Sequence, residues 1–300
     1  MAEKPLVADH LEDKIKRRKR LANTPSPLPE ETRIITVSNQ KGGVGKTTTT
    51  VNLASALARR GANVLVIDLD PQGNASTALG VPHRPEITSV YEVLLGDASV
   101  EEAIQVSSDH ENLMCVPSTI NLAGAEIELV SLVAREQRLR TALDAFLKNS
   151  DRPYHYVFID CPPSLGLLTV NAFVAGGEVL IPIQCEYYAL EGLSQLLGNI
   201  QLIQKHLNPG LRVSTILLTM YDARTNLAQE VANEVRQHFP AEVLDAVIPR
   251  SVRISEAPSY GQTVHEYDSS SIGALAYLEA AAEVAERGAP TTNTDEGDQG

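Results

Sequence analysis

The chain has 300 residues, 43% of them hydrophobic and 21% charged, and a formal net charge of -13. That length holds one full-sized domain with a substantial core, or two small ones, and the acidic balance disfavours indiscriminate nucleic-acid binding while leaving room for a local basic patch. Cys115, Cys161 and Cys185 form no CxxC or Cys/His spacing, and with neither a signal peptide nor a run of roughly 20 apolar residues, a soluble cytoplasmic protein with free thiols is expected.

In chain order, residues 1–32 come first and are expected to be a basic, disordered arm. Lys14 to Arg20 reads KIKRRKR, six charges in seven residues, and the Pro-containing TPSPLPEE follows. Like charges this dense rarely pack, and prolines discourage helix continuation. Residues 33–288 then alternate. Strand-like apolar runs lie at Ile34–Val37, Val64–Ile67, Tyr156–Ile159, Val179–Ile183, Val213–Leu218 and, more weakly, Val243–Ile248. Helical stretches follow most of them, at Thr47–Arg60, Leu165–Ala175, Leu190–His206, Asn226–His238 and Ile272–Arg287, with Gly61 as the stop of the first. The less regular section 75–150 holds two helices, near Leu122–Val130 and Arg135–Lys148. Continuous apolar strands alternating with helices predict one α/β domain, a mostly parallel twisted sheet with helices on both faces. Residues 289–300 are polar and acidic and are expected to be a disordered tail.

The chemistry concentrates at strand ends. Ile34–Val37 leads into the Gly-rich turn Asn39–Lys46, and Thr47 opens a helix, an order that converges backbone N–H groups on a polyphosphate. Lys46 would reach the β and γ phosphates and the Thr47 hydroxyl would ligate Mg²⁺. The usual GxxxxGK[ST] pattern fails, because Gln40 stands at the first glycine position and a second lysine, Lys41, opens the loop. Val64–Asp70 reads VLVIDLD, so Asp68 and Asp70 share one side of a strand end, where a carboxylate could position water or organise Mg²⁺. Tyr156–Asp160 is another apolar strand ending in Asp; beside a phosphate loop, Asp160 would hold Mg²⁺ through water or bond the Thr47 hydroxyl. Pro162 and Pro163 stiffen the loop that follows, and Cys161 reads as a small filler.

The sequence Lys41-Gly42-Gly43-Val44-Gly45-Lys46-Thr47 resembles the deviant Walker A motif of the ParA/MinD group of P-loop ATPases. DxDPQGN resembles the switch I segment of ParA proteins. LAGAEIELV, DCPPSLGLLTVNA, IPIQCEYYALEGLSQL, LLTMYDARTNLA and VIPRSVRISEAPSYGQ look like chromosomal ParA sequences, so the likeness covers nearly all of 33–288. It implies a P-loop NTPase fold, ATP and Mg²⁺ as cofactors, and weak ATP hydrolysis. It implies that Lys41 crosses an ATP-sandwich homodimer to the partner's phosphates, that Asp70 orients the attacking water, and that Asp68 acts near the metal. Residues 41–47 with Thr48 would hold the phosphates, and Met220 and Pro249 the adenine. The basic N-terminal arm exceeds what the family core requires.

The resemblance further implies non-specific DNA binding in the ATP state, a nucleoid-associated location, and release after hydrolysis stimulated by a ParB-type partner. Residues 1–20 hold seven basic and four acidic residues, which leaves -16 for the rest by subtraction, so a DNA site must be a local arginine cluster. Arg224 and Arg253 match DNA-binding positions of related ParA proteins; Arg250 is a weaker candidate, and Lys205 and His206, ending the helix before Asn208-Pro209, are added to them. The alternative, a MinD-like membrane-associated division-site switch, needs a basic amphipathic helix near the C-terminus. IGALAYLEAAAEVAER carries three glutamates and one arginine, so no membrane partner is expected. Electron-transfer relatives would need paired cysteine ligands, and no NKxD motif marks a GTPase.

Overall fold

In the computed structural model, which describes residues 7–289, the strands are β1 (Arg33–Val37), β2 (Val64–Asp68), β3 (Gln105–Val106), β4 (Leu113–Val116), β5 (Tyr156–Asp160), β6 (Glu178–Gln184), β7 (Arg212–Tyr221) and β8 (Val243–Pro249). They form one sheet in the order β3-β4-β2-β5-β1-β6-β7-β8. All neighbours are parallel except β3 and β4. All six expected strands are present. β3 and β4 are additional, two short elements in the section read as irregular.

The helices are α1 (Val7–Asn23), α2 (Lys46–Ala58), α3 (Asn74–Ala78), α4 (Val90–Leu95), α5 (Val100–Ala103), α6 (Leu122–Leu129), α7 (Arg138–Asn149), α8 (Leu167–Ala175), α9 (Ala189–His206), α10 (Asn226–His238), α11 (Val252–Glu256), α12 (Val264–Tyr267) and α13 (Ile272–Arg287). Alternation along the strands divides the core. Val64 and Val66 face α2 and α13 in one apolar cluster, while Leu65 and Ile67 face α4, α6, α7 and α8 in another. Beyond β1, Ile181, Ile183, Ile216 and Leu218 pack on α9 and α10. Both faces are therefore covered, which is why these strands read as continuous apolar runs rather than alternating ones. α2 ends at Gly61, whose φ of +94° places it in the left-handed region. The Gly61 and Ala62 amides donate back to the Ala58 and Leu57 carbonyls, the bond pair of a Schellman stop.

The expected disorder of the N-terminal arm needs correction over residues 7–23, which form α1. Its charges find a partner on the domain: the Arg17 guanidinium donates to both carboxylate oxygens of Glu279 on α13, with Nε 2.9 Å from Oε1. Leu21 is buried against Leu275 and Ala282 of the same helix. Arg60, just past α2, donates to the Leu21 and Thr24 carbonyls at the C-terminal end of α1. α1 ends at Asn23, before the prolines of TPSPLPEE. Apart from Ala289, the expected acidic tail lies outside the described residues.

Two connections leave the sheet's centre in opposite directions. β1 leads through α2 to β2 on one side, and β5 leads through α8 to β6 on the other. Ligands of open α/β sheets sit at such a reversal, outside the carboxyl ends of the strands. In register, Val37 of β1 and Asp68 of β2 both align with Asp160 of β5.

Candidate functional site

The loop after β1 is shaped by its glycines and tied down from three directions. Gly43 and Gly45 have φ of +74° and +89°, a region costly for residues with a Cβ. The Asn39 amide donates to the Pro182 carbonyl at 2.8 Å, and the Asn39 Oδ1 accepts from the Lys41 N–H at 3.0 Å. On the other side, the Thr219 hydroxyl donates to the Val44 carbonyl at 2.8 Å. The first helical bond closing onto the loop runs from the Thr49 N–H to the Gly45 carbonyl. The first-turn amides of α2 precede it, and a helix leaves these for an external acceptor.

The two loop lysines occupy different environments. Lys46 is buried; burial lowers its ammonium pKa, opposed by the nearby carboxylates of Asp160 and Asp70. Lys41 is exposed and forms an ion pair with Glu186 at 2.5 Å, beyond the end of β6. Val44 is buried and Thr48 is half-buried at the start of α2.

Beneath the loop, Asp160 is fully buried. It accepts hydrogen bonds from the Thr47 hydroxyl at 2.7 Å and the Thr50 hydroxyl at 2.9 Å. Burial, and then the charge of Asp68 on the adjoining strand, push its pKa up to about 7. Asp68 is also fully buried and accepts from the N–H and hydroxyl of Ser76, at 2.8 and 2.7 Å. Burial pushes it up to about 6 despite those bonds. Asp70, two residues on, is buried about as deeply as Lys46 and accepts from the Gln72 N–H at 3.0 Å. The three carboxylates are thus brought to one edge with separate supports. Cys161 is packed in the core, and burial raises its thiol pKa well above the ordinary value, as suits a filler.

Met220 and Pro249 also come to this edge. β7 and β8 end together, with Tyr221 aligned to Pro249. Met220 has the left-handed φ of +49°, unusual for a residue with a side chain. Its methyl group lies beside Gly45: a Cβ added to that glycine would stand 3.9 Å from Met220 Cε. A cavity of about 780 Å³ between α4, α5 and α7 contains none of these residues.

The candidate arginines follow the ends of β7 and β8. Arg224 is exposed and forks onto Asp222, with Nε 2.8 Å from Oδ1 and Nη2 2.7 Å from Oδ2. That bond is the first cause of the Asp222 pKa falling to about 2. The Arg250 N–H donates to the Tyr221 carbonyl, bridging the two strand ends. Arg253 on α11 pairs with Glu256 at 3.3 Å and Asp268 at 3.6 Å. Lys205 and His206 are not part of this group: they end α9, which returns to the opposite edge where β7 begins. Sequence reading missed the supporting residues. Thr50 carried a signal, being three residues from Thr47 on one helix, whereas Ser76, Glu186 and Thr219 are distant partners with no local cue.

The strand–loop–helix cradle on this sheet defines a P-loop nucleoside-triphosphatase. A family model described as an AAA domain matches residues 32–213. The sporulation initiation inhibitor protein Soj of Bacillus subtilis is 54% identical over 85% of this chain and 99% of its own length. The chromosome partitioning protein ParA of Caulobacter vibrioides is 51% identical over 85% and 94%. A solved structure of cobyrinic acid a,c-diamide synthase from Mycobacterium smegmatis with a bound ATP analogue and magnesium is 38% identical, with a TM-score of 0.71 over 84% of this chain and 94% of that one. The chain belongs to the Soj/ParA family of chromosome-partitioning P-loop ATPases.

Proposed function

We propose that the protein partitions DNA: ATP joins two copies into a sandwich dimer that binds DNA without sequence preference, and hydrolysis, stimulated by a ParB-type partner, releases it. The reading is supported above all by the contrast between the loop's two lysines. Buried Lys46 belongs to its own cradle, while exposed Lys41 is held at the rim by Glu186, available to a second copy. Among the described residues no helix is long and apolar enough to cross a membrane.

The residues fit Mg²⁺ and ATP. Gly42 and Gly43 face open space where a Cβ would stand, so the backbone can approach phosphates closely. The Thr47 hydroxyl and the carboxylates behind it are hard oxygen donors of the kind Mg²⁺ takes alongside water and phosphate. Bound Mg²⁺ would neutralise charge on the β and γ phosphates and favour the ionised form of Asp160. Lys46 supplies the cis positive charge. Thr47 would ligate the metal directly, with Asp68 and Asp160 acting through water. Asp70, on the same edge, orients the attacking water; Thr48 completes the phosphate contacts, and Met220 and Pro249 border the base. Arg224, Arg253 and more weakly Arg250 meet DNA phosphates, so the protein works in the cytoplasm on the nucleoid.

Co-sedimentation with DNA in ATP, in ADP and without nucleotide, repeated with anionic liposomes, tests this. Retention on DNA only with ATP is expected. Retention on liposomes instead would replace partitioning with a membrane switch.

A further inference from the structure

The basic helix α1 does not project from the domain; it is docked on the turn that also pairs with Arg253. Arg18 donates to the Ser269 carbonyl, in the turn between α12 and α13. Next to it, the Asp268 carboxylate bonds the Ser270 hydroxyl and N–H, and its other oxygen lies 3.6 Å from Arg253 Nε. Those Ser270 bonds first, and then the charges of Arg253 and Lys14, lower the Asp268 pKa. Arg18 of α1 and Arg253 of α11 therefore hold the same short turn, at Ser269 and Asp268.

The helix holds more positive charge than its docking uses. Arg17 and Arg20 both pair with Glu279. Among the described residues, Lys14, Lys16 and Lys19 make no ion pair within 4.0 Å, and Lys16 and Lys19 are exposed. Cations three and four apart on a helix repel one another, so this arrangement opposes its own folding. The repulsion is relieved when a polyanion lies along the helix. The rest of the chain is acidic, which makes the concentration of free cations here a local exception.

We infer that docked α1 continues the arginine edge and forms the second half of one surface for the phosphate backbone of nucleic acid. The inference rests on the DNA-binding reading above and adds to it a contact element outside the ATPase core. Regularly spaced phosphates suit a rigid helix carrying Lys16 and Lys19 on its outer face, and such contacts carry no base information.

The test titrates the full chain, with ATP and Mg²⁺, against a random-sequence duplex over a range of salt. Lys14→Gln/Lys16→Gln/Lys19→Gln should lower the slope of log affinity against log salt by about one for each lysine that reaches a phosphate. A second variant, Leu21→Asp/Glu279→Gln, keeps every cation but removes the apolar and ionic docking contacts with α13, and should lose a similar part of the slope. If that variant unfolds in a circular-dichroism melt, the lysine variant decides alone. A parental slope in the lysine variant overturns the inference, as does parental binding by a folded, undocked variant, which would make α1 a tethered polycation. Lysine-dependent retention on anionic vesicles, with DNA binding untouched, would also overturn it. Failure of the parent to bind DNA with ATP would sink the partitioning reading itself. Weakening by Arg224→Ala/Arg253→Ala but not by the lysine changes would remove only α1.

Discussion

The hydroxyl of Thr47 and the carboxylate of Asp160 meet at 2.7 Å across 113 residues of chain. This bond joins the helix that opens the phosphate loop to the strand beneath it. The carboxylate is fully buried, with Thr50 on its second oxygen, so the Thr47 hydroxyl is oriented before any ligand arrives. Preset geometry of this kind lowers the entropic cost of binding.

Lys46→Ala should abolish ATP binding, because it removes the buried cation of the cradle and leaves Asp160 and Asp70 facing the phosphates. Lys41→Ala should keep most nucleotide affinity but lose ATP-dependent dimerisation and hydrolysis. Its ion pair with Glu186 is exposed at both ends, so stability should change by no more than about 1 kcal/mol. A nucleotide titration, light scattering and a thermal melt check the set. A Lys41 variant that dimerises normally with ATP removes the trans role.

Asp70→Asn preserves an acceptor for the Gln72 N–H while removing the charge that orients water. The variant should accumulate as an ATP dimer on DNA and should not respond to a ParB-type partner. Single-turnover hydrolysis within about threefold of the parent corresponds to only about 0.7 kcal/mol. That result would take Asp70 out of the catalytic role.

Arg224→Ala or Arg253→Ala should flatten the salt dependence of DNA affinity by about one per phosphate contact, or about two in a symmetric dimer. The loss should be alike on all sequences. Arg224→Ala also leaves Asp222 without its partner, so Arg224→Ala/Asp222→Asn should recover part of the affinity by removing the bare charge. No recovery would mean that Asp222 does not face the DNA.

Asp68 and Asp160 give the ligand-free protein a defined pH response. Their pKa values of about 6 and 7 lie above the ordinary 3.8, so the folded state binds these protons more tightly than the unfolded state. Their stabilisation is fully present below about pH 4 and is lost as pH rises through 6 and 7. Buried His265, pushed down to about 4 by burial, works in the opposite sense up to its unfolded pKa near 6.5. The informative quantity is therefore the difference between parent and Asp160→Asn. The variant should gain melting temperature relative to the parent between pH 5 and pH 8, by about 2 °C for each kcal/mol of relieved strain. An equal offset at both pH values would contradict the elevated pKa.

Much of this architecture was legible because the central strands are buried on both faces and their helices follow at once, so apolar runs and helical periods stand out. α10 and α13 match their expected bounds, Asn226–His238 and Ile272–Arg287. The section 75–150 was harder because its elements are short. Even so, α4 and α5 carried a local signal that went unread: Ser89 with Glu92 and Ser99 with Glu102 each close a capping box. β4 is an apolar run of only four residues, too short to stand out. α1 was obscured by its own charge, since the stabilising Glu279 lies 262 residues away from Arg17. The phosphate loop and strand-end carboxylates were readable from spacing, whereas Glu186 and Ser76, which hold Lys41 and Asp68, emerge only from the fold.

The carboxylates beside Arg224 and Arg253 act as counter-ions tethered to the protein. A single anion arriving at either arginine must displace Asp222, or Glu256 and Asp268, and gains little from exchanging one negative partner for another. A polymer with closely spaced phosphates brings many charges at once and releases its own condensed cations as it binds. On the proposed DNA-binding role, the same pairs would make this edge a filter for charge density: free nucleotides, abundant wherever ATP is hydrolysed, would compete poorly for it, and a long duplex would not.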